Sequence, residues 1–383
     1  MMRGALPVKV CEPREERRMA DKLRAGIVGA TGMVGQRFVS LLADHPWFQV
    51  AVVAESERSA GKSYAEAAGR RWAMTTPVPP AIGGLVVKDA SRVEEVAGEV
   101  DLIFCAVDMP KDDIRCLEDR YAKAETPVVS NNSAHRWTPD VPMMLPEINP
   151  DHLGIIEAQR KRLGVKRGFI TVKPNCSIQS YVPALHPLRE FGIDKVFVCT
   201  YQAISGAGKT FKDWPEMLDN VIPFIGGEEE KSEKEPLKVW GSAHADGIMN
   251  ASGPAITSQC IRVPVTDGHM AAVFVSFEKK PSIETVLERW KSFEGRPQKL
   301  GLPSAPAPFL KYFTEENRPQ TRLDRDAGGG RAAGMGITIG RLREDRLLDY
   351  RFVCLSHNTI RGAAGGAVLT AELLKSEGYL TAK

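Results

Sequence analysis

The sequence lacks any CxxC pair, any long apolar run and any appreciable net charge, and each absence removes a class of protein. Its seven cysteines are an odd number in 383 residues. No secretory signal accompanies them, so reduced thiols in a cytoplasm are expected rather than a disulfide framework or a structural zinc site. The apolar stretches are short and strand-like, as in Leu102-Ile103-Phe104-Cys105-Ala106-Val107. They fall well below the roughly 20 residues of a membrane span, and a soluble protein with no membrane partner is expected. Lys and Arg number 51 against 48 Asp and Glu, a balance of +3 that gives no broad basic field for nucleic acid. Any anion must be held by a few placed cations. The histidines show no metal-ligand spacing, and no metal is expected.

What is present reads as a globular protein, with 43% hydrophobic and 26% charged residues. Its length suits about two or three domains, two being the working count. Residues 1–21 form a charged tail, with Met19 a conceivable alternative start. Strand and helix patterns then alternate to about residue 155, the mark of a doubly wound parallel sheet. Strands are expected at Leu23 to Val28, Phe48 to Ala54, Leu85 to Val87, Asp101 to Val107 and Val128-Val129. Beyond residue 155 come longer β-branched strands, Lys195 to Thr200 and Met270 to Phe277, suggesting a mixed sheet with helices on one face. The acid-rich stretch from Gly226 to Lys238 is expected to be a long loop or an interface arm. The C-terminal strand Tyr350 to Leu355 and the helix Ala363 to Leu374 close the chain.

Three segments carry chemistry. In the first, a strand runs into Gly29-Ala30-Thr31-Gly32-Met33-Val34-Gly35 and then a helical pattern, a geometry that aims backbone N–H groups and a helix dipole at a phosphate. The spacing is GxxGxxG rather than GxGxxG. About 20 residues on, Glu55 stands where an acid would grip a ribose hydroxyl, with Arg58, Ser59 and Lys62 behind it. Two cations and a hydroxyl suit a 2′-phosphate and favour NADP over NAD; the plainer alternative is a solvated loop.

In the second, Lys173-Pro174-Asn175-Cys176-Ser177 follows an apolar strand, and Cys176 could open a helix whose N-terminus would lower the thiol pKa. A small buried cysteine is the structural alternative. The third is dispersed: Gln202 ends a strand ahead of the Ser205-Gly206 turn, and Arg262 precedes His269 by seven residues. A guanidinium grips a carboxylate through two bonds, and an imidazole is the usual partner of a catalytic thiol.

In order and spacing, GATGMVGQ, SERSAGK, SNNSAHR, PNCSIQ, YQAISGAG, GGEEEKSEKEPLK, RVPVTDGH and NTIRGAAGG resemble the aspartate-β-semialdehyde dehydrogenase family from about residue 22 to 378. The resemblance implies an α/β fold: a Rossmann-type NADP-binding domain (22–155) and an α+β catalytic and dimerisation domain like that of glyceraldehyde-phosphate dehydrogenase (156–348). It also implies a C-terminal strand and helix (349–383) returning to the first domain. It casts Cys176 as the nucleophile, His269 as general acid and base, and Gln202 as the group orienting substrate. Arg262 would hold the substrate carboxylate and Glu228 its ammonium, although three adjacent glutamates (228–230) leave that register open. Arg136, Lys231 and Asn175 would bind phosphate. Gly29, Thr31, Gly32, Met33, Val34, Arg58, Ser59, Ser205, Gly206 and Asn358 would line the NADP site.

The activity implied is NADPH-dependent reductive dephosphorylation of L-4-aspartyl phosphate to L-aspartate 4-semialdehyde, on the route to lysine, threonine, methionine and isoleucine. A homodimer or dimer of dimers is implied. The rivals are a reductase of malonyl-CoA or another activated acyl group, such as N-acetyl-glutamyl phosphate, and a non-catalytic NADP-binding sensor.

Overall fold

The computed structural model describes residues 22–383, so the charged tail and Met19 lie outside the described residues. Six strands, β1 (Leu23–Val28), β2 (Phe48–Glu55), β3 (Lys88–Asp89), β4 (Leu102–Cys105), β5 (Val128–Ser130) and β6 (Ile170–Val172), form a wholly parallel sheet in the order β3-β2-β1-β4-β5-β6. Every residue of β4 and β5 is buried, as expected for strands covered on both faces. The strand order reverses between β1 and β4, which opens a crevice at their carboxyl ends where such sheets bind ligands.

The helix Met33–Leu42 packs its apolar side on this sheet, Phe38 stacking on Phe104 with ring centroids 4.8 Å apart. The C-terminal helix Gly365–Ser376 is buried from Gly365 to Leu374 and shares one core cluster with Phe38, Leu42 and Phe104. Its apolar character all round reflects that enclosure.

The remaining strands are β7 (Ile193–Gln202), the hairpin β8 (Ser242–His244) and β9 (Gly247–Met249), β10 (Ala255–Arg262), β11 (His269–Phe277), β12 (Leu310–Phe313), β13 (Ile337–Glu344) and β14 (Tyr350–Ser356). All but the hairpin join a mixed sheet ordered β10-β7-β11-β14-β13-β12. Alternation on β7 and β11 turns Val196, Val198, Ala271, Val273 and Val275 into a core with Tyr181 and Trp290 from the covering helices. The opposite face leaves Phe197, Cys199, Tyr201, Met270, Ala272 and Phe274 incompletely covered.

Four expectations need correction. Gly226 to Lys238 is not a loop or arm: Glu228–Val239 is a helix, whose inward residues Glu228, Ser232, Glu235 and Val239 recur at helical spacing. The short strand lies at Lys88–Asp89; Leu85 and Val87 instead use their carbonyls to accept from Tyr64 and Gly61. The boundary at residue 155 cuts the first sheet, since β6 supplies its sixth strand. Finally, the strand Tyr350–Ser356 lies within the second sheet between β11 and β13, and only the helix after it returns to the first domain. Among the described residues, no helix is long and apolar enough to cross a membrane.

Candidate active site

The glycine turn after β1 is shaped by contact. Gly29 has φ +87°, and a Cβ there would meet the Ala106 carbonyl oxygen at 2.5 Å; a Cβ on Gly35 would overlap the Gly29 carbonyl oxygen. The turn therefore lies flush against the next strand's exit. It opens onto a cavity of about 640 Å³ walled by Gly29, Thr31, Gly32, Glu55, Ser56 and Arg71, among others. Glu55 accepts from the Thr31 N–H and hydroxyl, both at 2.8 Å, and so braces the turn.

The residues expected to meet the cofactor are spread over three neighbouring cavities and the surface beside them. Val34, Ser205, Gly206 and Asn358 wall a second cavity of about 270 Å³ beside the first, and Met33 faces a third, neighbouring one. Arg58 and Ser59 do not wall the large cavity. They sit on the 3₁₀ turn Glu57–Ser59, which brings Ser56 and Glu57 to the cavity instead, and Lys62 spends its ammonium on the Arg58 carbonyl at 3.1 Å. Two cations that do reach the wall, Arg71 and Arg120, escaped the sequence reading, Arg71's only mark being the Arg70-Arg71 pair. Asn131 also escaped it: it lines the second cavity, and neither atom of its buried amide has a partner among the described residues.

Cys176 stands at the turn between β6 and the helix Ile178–Leu185. Asn175 shapes that turn by accepting from the Ser177 N–H at 2.8 Å and hydroxyl at 2.6 Å. Strands β7 and β11 are neighbours, so the end of one and the start of the other bring Gln202, Ala203 and His269 together. His269 Nε2 lies 3.4 Å from Cys176 Sγ, while Nδ1 accepts from the Ala203 N–H at 3.1 Å. A neutral imidazole that accepts at Nδ1 carries its proton on Nε2, so His269 presents that proton to the sulfur. Arg262 Nη1 donates to the Ala203 carbonyl at 2.6 Å. A Cβ on Gly206 would stand 3.0 Å from both Arg262 and His269, so that turn packs over the pair.

The helix Glu228–Val239 turns its three leading glutamates in different directions. Glu228 points inward and accepts from Asn175 at 3.0 Å, Gln202 at 3.3 Å and Lys231 at 2.8 Å. Glu229 turns to Gln259 and the Cys260 N–H, and Glu230 pairs with Lys234 on the surface. Two turns along, Glu235 accepts from Arg136 at 2.9 Å and the Asn175 N–H at 2.6 Å. Arg136 also donates to the Lys173 carbonyl at 3.0 Å. Arg136, Asn175 and Cys176 reach the wall of the second cavity; Gln202, Glu228, Arg262 and His269 are buried next to them, and the partly exposed Lys231 is held by Glu228. The chain's end closes over Cys176: a Cβ on Gly362 would lie 2.8 Å from the Cys176 Cβ.

The electrostatics differ from the expectation of a thiol acidified by a helix end. Burial, followed by the Glu228 carboxylate, pushes the Cys176 thiol up, against the pull of Lys173, Arg136 and Arg262. Burial, reinforced by Arg262, pushes His269 down to about 3. In the free protein the pair is therefore a neutral thiol beside a neutral imidazole.

Residues 24–156 match the family model described as "Semialdehyde dehydrogenase, NAD binding domain", and residues 185–361 match "Semialdehyde dehydrogenase, dimerisation domain". The chain is 43% identical over 355 residues to an aspartate-semialdehyde dehydrogenase of Methanothermobacter thermautotrophicus, covering 92% of this chain and 99% of that one. It is 41% identical over 368 residues to that of Aspergillus fumigatus, covering 94% and 99%. A crystal structure of the Candida albicans aspartate semialdehyde dehydrogenase with NADP superposes with a TM-score of 0.84 at 39% identity, covering 94% of this chain and 100% of that one.

Proposed function

Since the chain belongs to the semialdehyde dehydrogenase family, and to its aspartate-semialdehyde branch, we infer that it is an NADP-dependent oxidoreductase interconverting L-4-aspartyl phosphate and L-aspartate 4-semialdehyde. The observation that carries the reading is the pairing of Cys176 with His269 at the wall of a cavity that adjoins the dinucleotide cavity. The cofactor fits this chain: the glycine turn leaves backbone N–H groups open at a helix start, and the Asn131 amide is buried without a partner among the described residues. Gly29, Thr31 to Val34, Ser205, Gly206 and Asn358 would hold NADP. Ser56 and Arg71 would meet its 2′-phosphate, with Arg58 and Ser59 a turn behind. When bound, NADPH supplies the hydride for the reduction.

The chain's own residues do the rest. The substrate ammonium displaces Lys231 from Glu228, which frees Lys231 to join Arg136 and Asn175 around the phosphate, and Arg262 pairs with the carboxylate. Satisfying Glu228 removes the second cause of the raised thiol pKa. The Cys176 thiol gives up its proton to water, the thiolate attacks the acyl carbon, the carbon–oxygen bond to phosphate breaks, and inorganic phosphate leaves the thioester behind. After reduction, His269 steadies the oxyanion on that carbon by donating a hydrogen bond from its Nε2–H. As that oxyanion collapses, the C–S bond breaks, and aldehyde and thiolate separate. Gln202, which touches Glu228, orients the amino-acid end.

Glu228 favours an amino-acid substrate over malonyl-CoA, because a CoA thioester offers no ammonium for a buried carboxylate. Self-association through the half-covered face of the second sheet supports a homodimer or dimer of dimers. The free thiols of Cys105, Cys116, Cys176, Cys199, Cys260 and Cys354 suit a reducing compartment such as the cytoplasm. The test is an assay with L-aspartate semialdehyde, phosphate and NADP beside one with malonyl-CoA and NADPH. Turnover is expected in the first alone, and turnover confined to the second would overturn the reading.

A further inference from the structure

Two cations near Cys176 are already matched by carboxylates: Arg136 by Glu235 and Lys231 by Glu228. Lys173, three residues before the cysteine, is different. It is 3% exposed and lies on the wall of the same cavity as Cys176. Its stem runs along the C-terminal helix, where a Cβ on Gly366 would stand 3.2 Å from its Cδ. Its ammonium has three protons to donate, and the Pro174 carbonyl at 2.5 Å takes one. No carboxylate pairs with it among the described residues. A buried cation left in that condition needs an anion in the cavity to offset its desolvation.

The imidazole cannot be the first acceptor of the thiol proton while its Nδ1 lone pair is held by the Ala203 N–H. We propose that Lys173 is a positioning residue that sets the ionisation of Cys176, its ammonium being the counter-charge of the thiolate before substrate is attacked. The inference rests on Cys176 being the nucleophile.

The surrounding charges agree. Cys176 is faced by Glu228 from the Glu228–Val239 helix, Arg262 from β10, His269 from β11, Arg136 from the segment after β5, and Lys173 itself. Of the groups that pull the thiol down, Lys173 acts most strongly, ahead of Arg136 and Arg262. Lys173 in turn faces Arg136, Cys176, Glu235 and Arg361. Burial and then Arg136 bring it down to about 7, so its charge is conditional and a neighbouring thiolate retains it. Arg361 is already bound through both arms to Glu147 and cannot take its place.

The test is the rate of Cys176 alkylation by iodoacetamide as a function of pH, read on the Cys176 peptide by mass spectrometry. It compares the full chain with Lys173→Met and Lys173→Gln variants whose folding is verified by NADP binding. Both substitutions are expected to move the alkylation midpoint upward by about one pH unit, which slows alkylation roughly tenfold near neutrality. Glu228→Gln should move it down. An unchanged profile in both Lys173 variants overturns the proposal, and an unchanged profile with a raised KM for phosphate would assign the lysine to phosphate instead. Failure of the nucleophile itself is read separately, as turnover that survives Cys176→Ala.

Discussion

The backbone N–H of Ala203 donates to Nδ1 of His269 at 3.1 Å, which fixes the imidazole with its other nitrogen, and its proton, 3.4 Å from the Cys176 sulfur. One hydrogen bond thus leaves the Nε2 proton of His269 facing the sulfur. Replacing His269 with Ala should lower kcat by roughly 10²–10⁴-fold, the usual worth of a placed acid or base. NADP affinity, measured by fluorescence titration, should hardly move. A variant that loses cofactor binding in step with kcat would instead make His269 a structural residue.

Glu228 accepts from Asn175, Gln202 and Lys231 in the free protein. Glu228→Gln removes the charge and keeps the shape. It should raise KM for L-aspartate semialdehyde by roughly 10- to 100-fold, the worth of one hydrogen bond to a charged group. Steady-state kinetics at fixed phosphate and NADP check this, and an unchanged KM would take the substrate ammonium away from Glu228.

Arg71 walls the large cavity below the glycine turn, and Arg58 does not reach it. Arg71→Ala should raise KM for NADPH more than Arg58→Ala does, by about tenfold against a smaller change. Neither should alter KM for NADH, which lacks the 2′-phosphate. The opposite ranking would return the 2′-phosphate to Arg58 and Ser59.

Burial pushes His186 and His357 down to about 4 and His269 to about 3, and lowers His45, His135 and His152 as well. Unfolded histidines bind their proton near pH 6.5, so in the interval below it the unfolded state takes up protons that the native state refuses. The stability contributed by these neutral histidines is complete above about pH 6.5 and is lost progressively as the pH falls toward 4. Calorimetry should record a Tm that is level from pH 8 to 7 and declines from about 6.5 downward. A Tm that holds or rises between pH 6.5 and 5 would contradict this.

Much of this site was legible in the sequence because local patterns encode local geometry. The strand-turn-helix around Gly29 to Gly35 needs only nearby residues, and the cysteine turn only Asn175 and Ser177. The nearness of Cys176 and His269, by contrast, depends on β7 and β11 being neighbours, which only the resemblance implied. The helix Glu228–Val239 was hidden by its own composition: a run of three glutamates and alternating charge suggests a loop or arm, yet Glu228 and Glu235 turn inward because arginine and amide donors await them. The motif around Lys173 gives no sign of its role, since a lysine's burial is a property of its surroundings. Arg71 was passed over because it reaches the cavity only through the fold of the segment after the helix Tyr64–Ala68.

The central claim is that chemistry passes through a thioester on Cys176. Incubating the protein with L-aspartate semialdehyde and NADP, with phosphate withheld, removes the second substrate and should let the aspartyl thioester accumulate. Mass spectrometry of the acid-quenched, digested protein should find an aspartyl group on the Cys176 peptide that disappears when phosphate is added. Full turnover in Cys176→Ala, or an adduct carried by another residue and discharged by phosphate, would contradict the account.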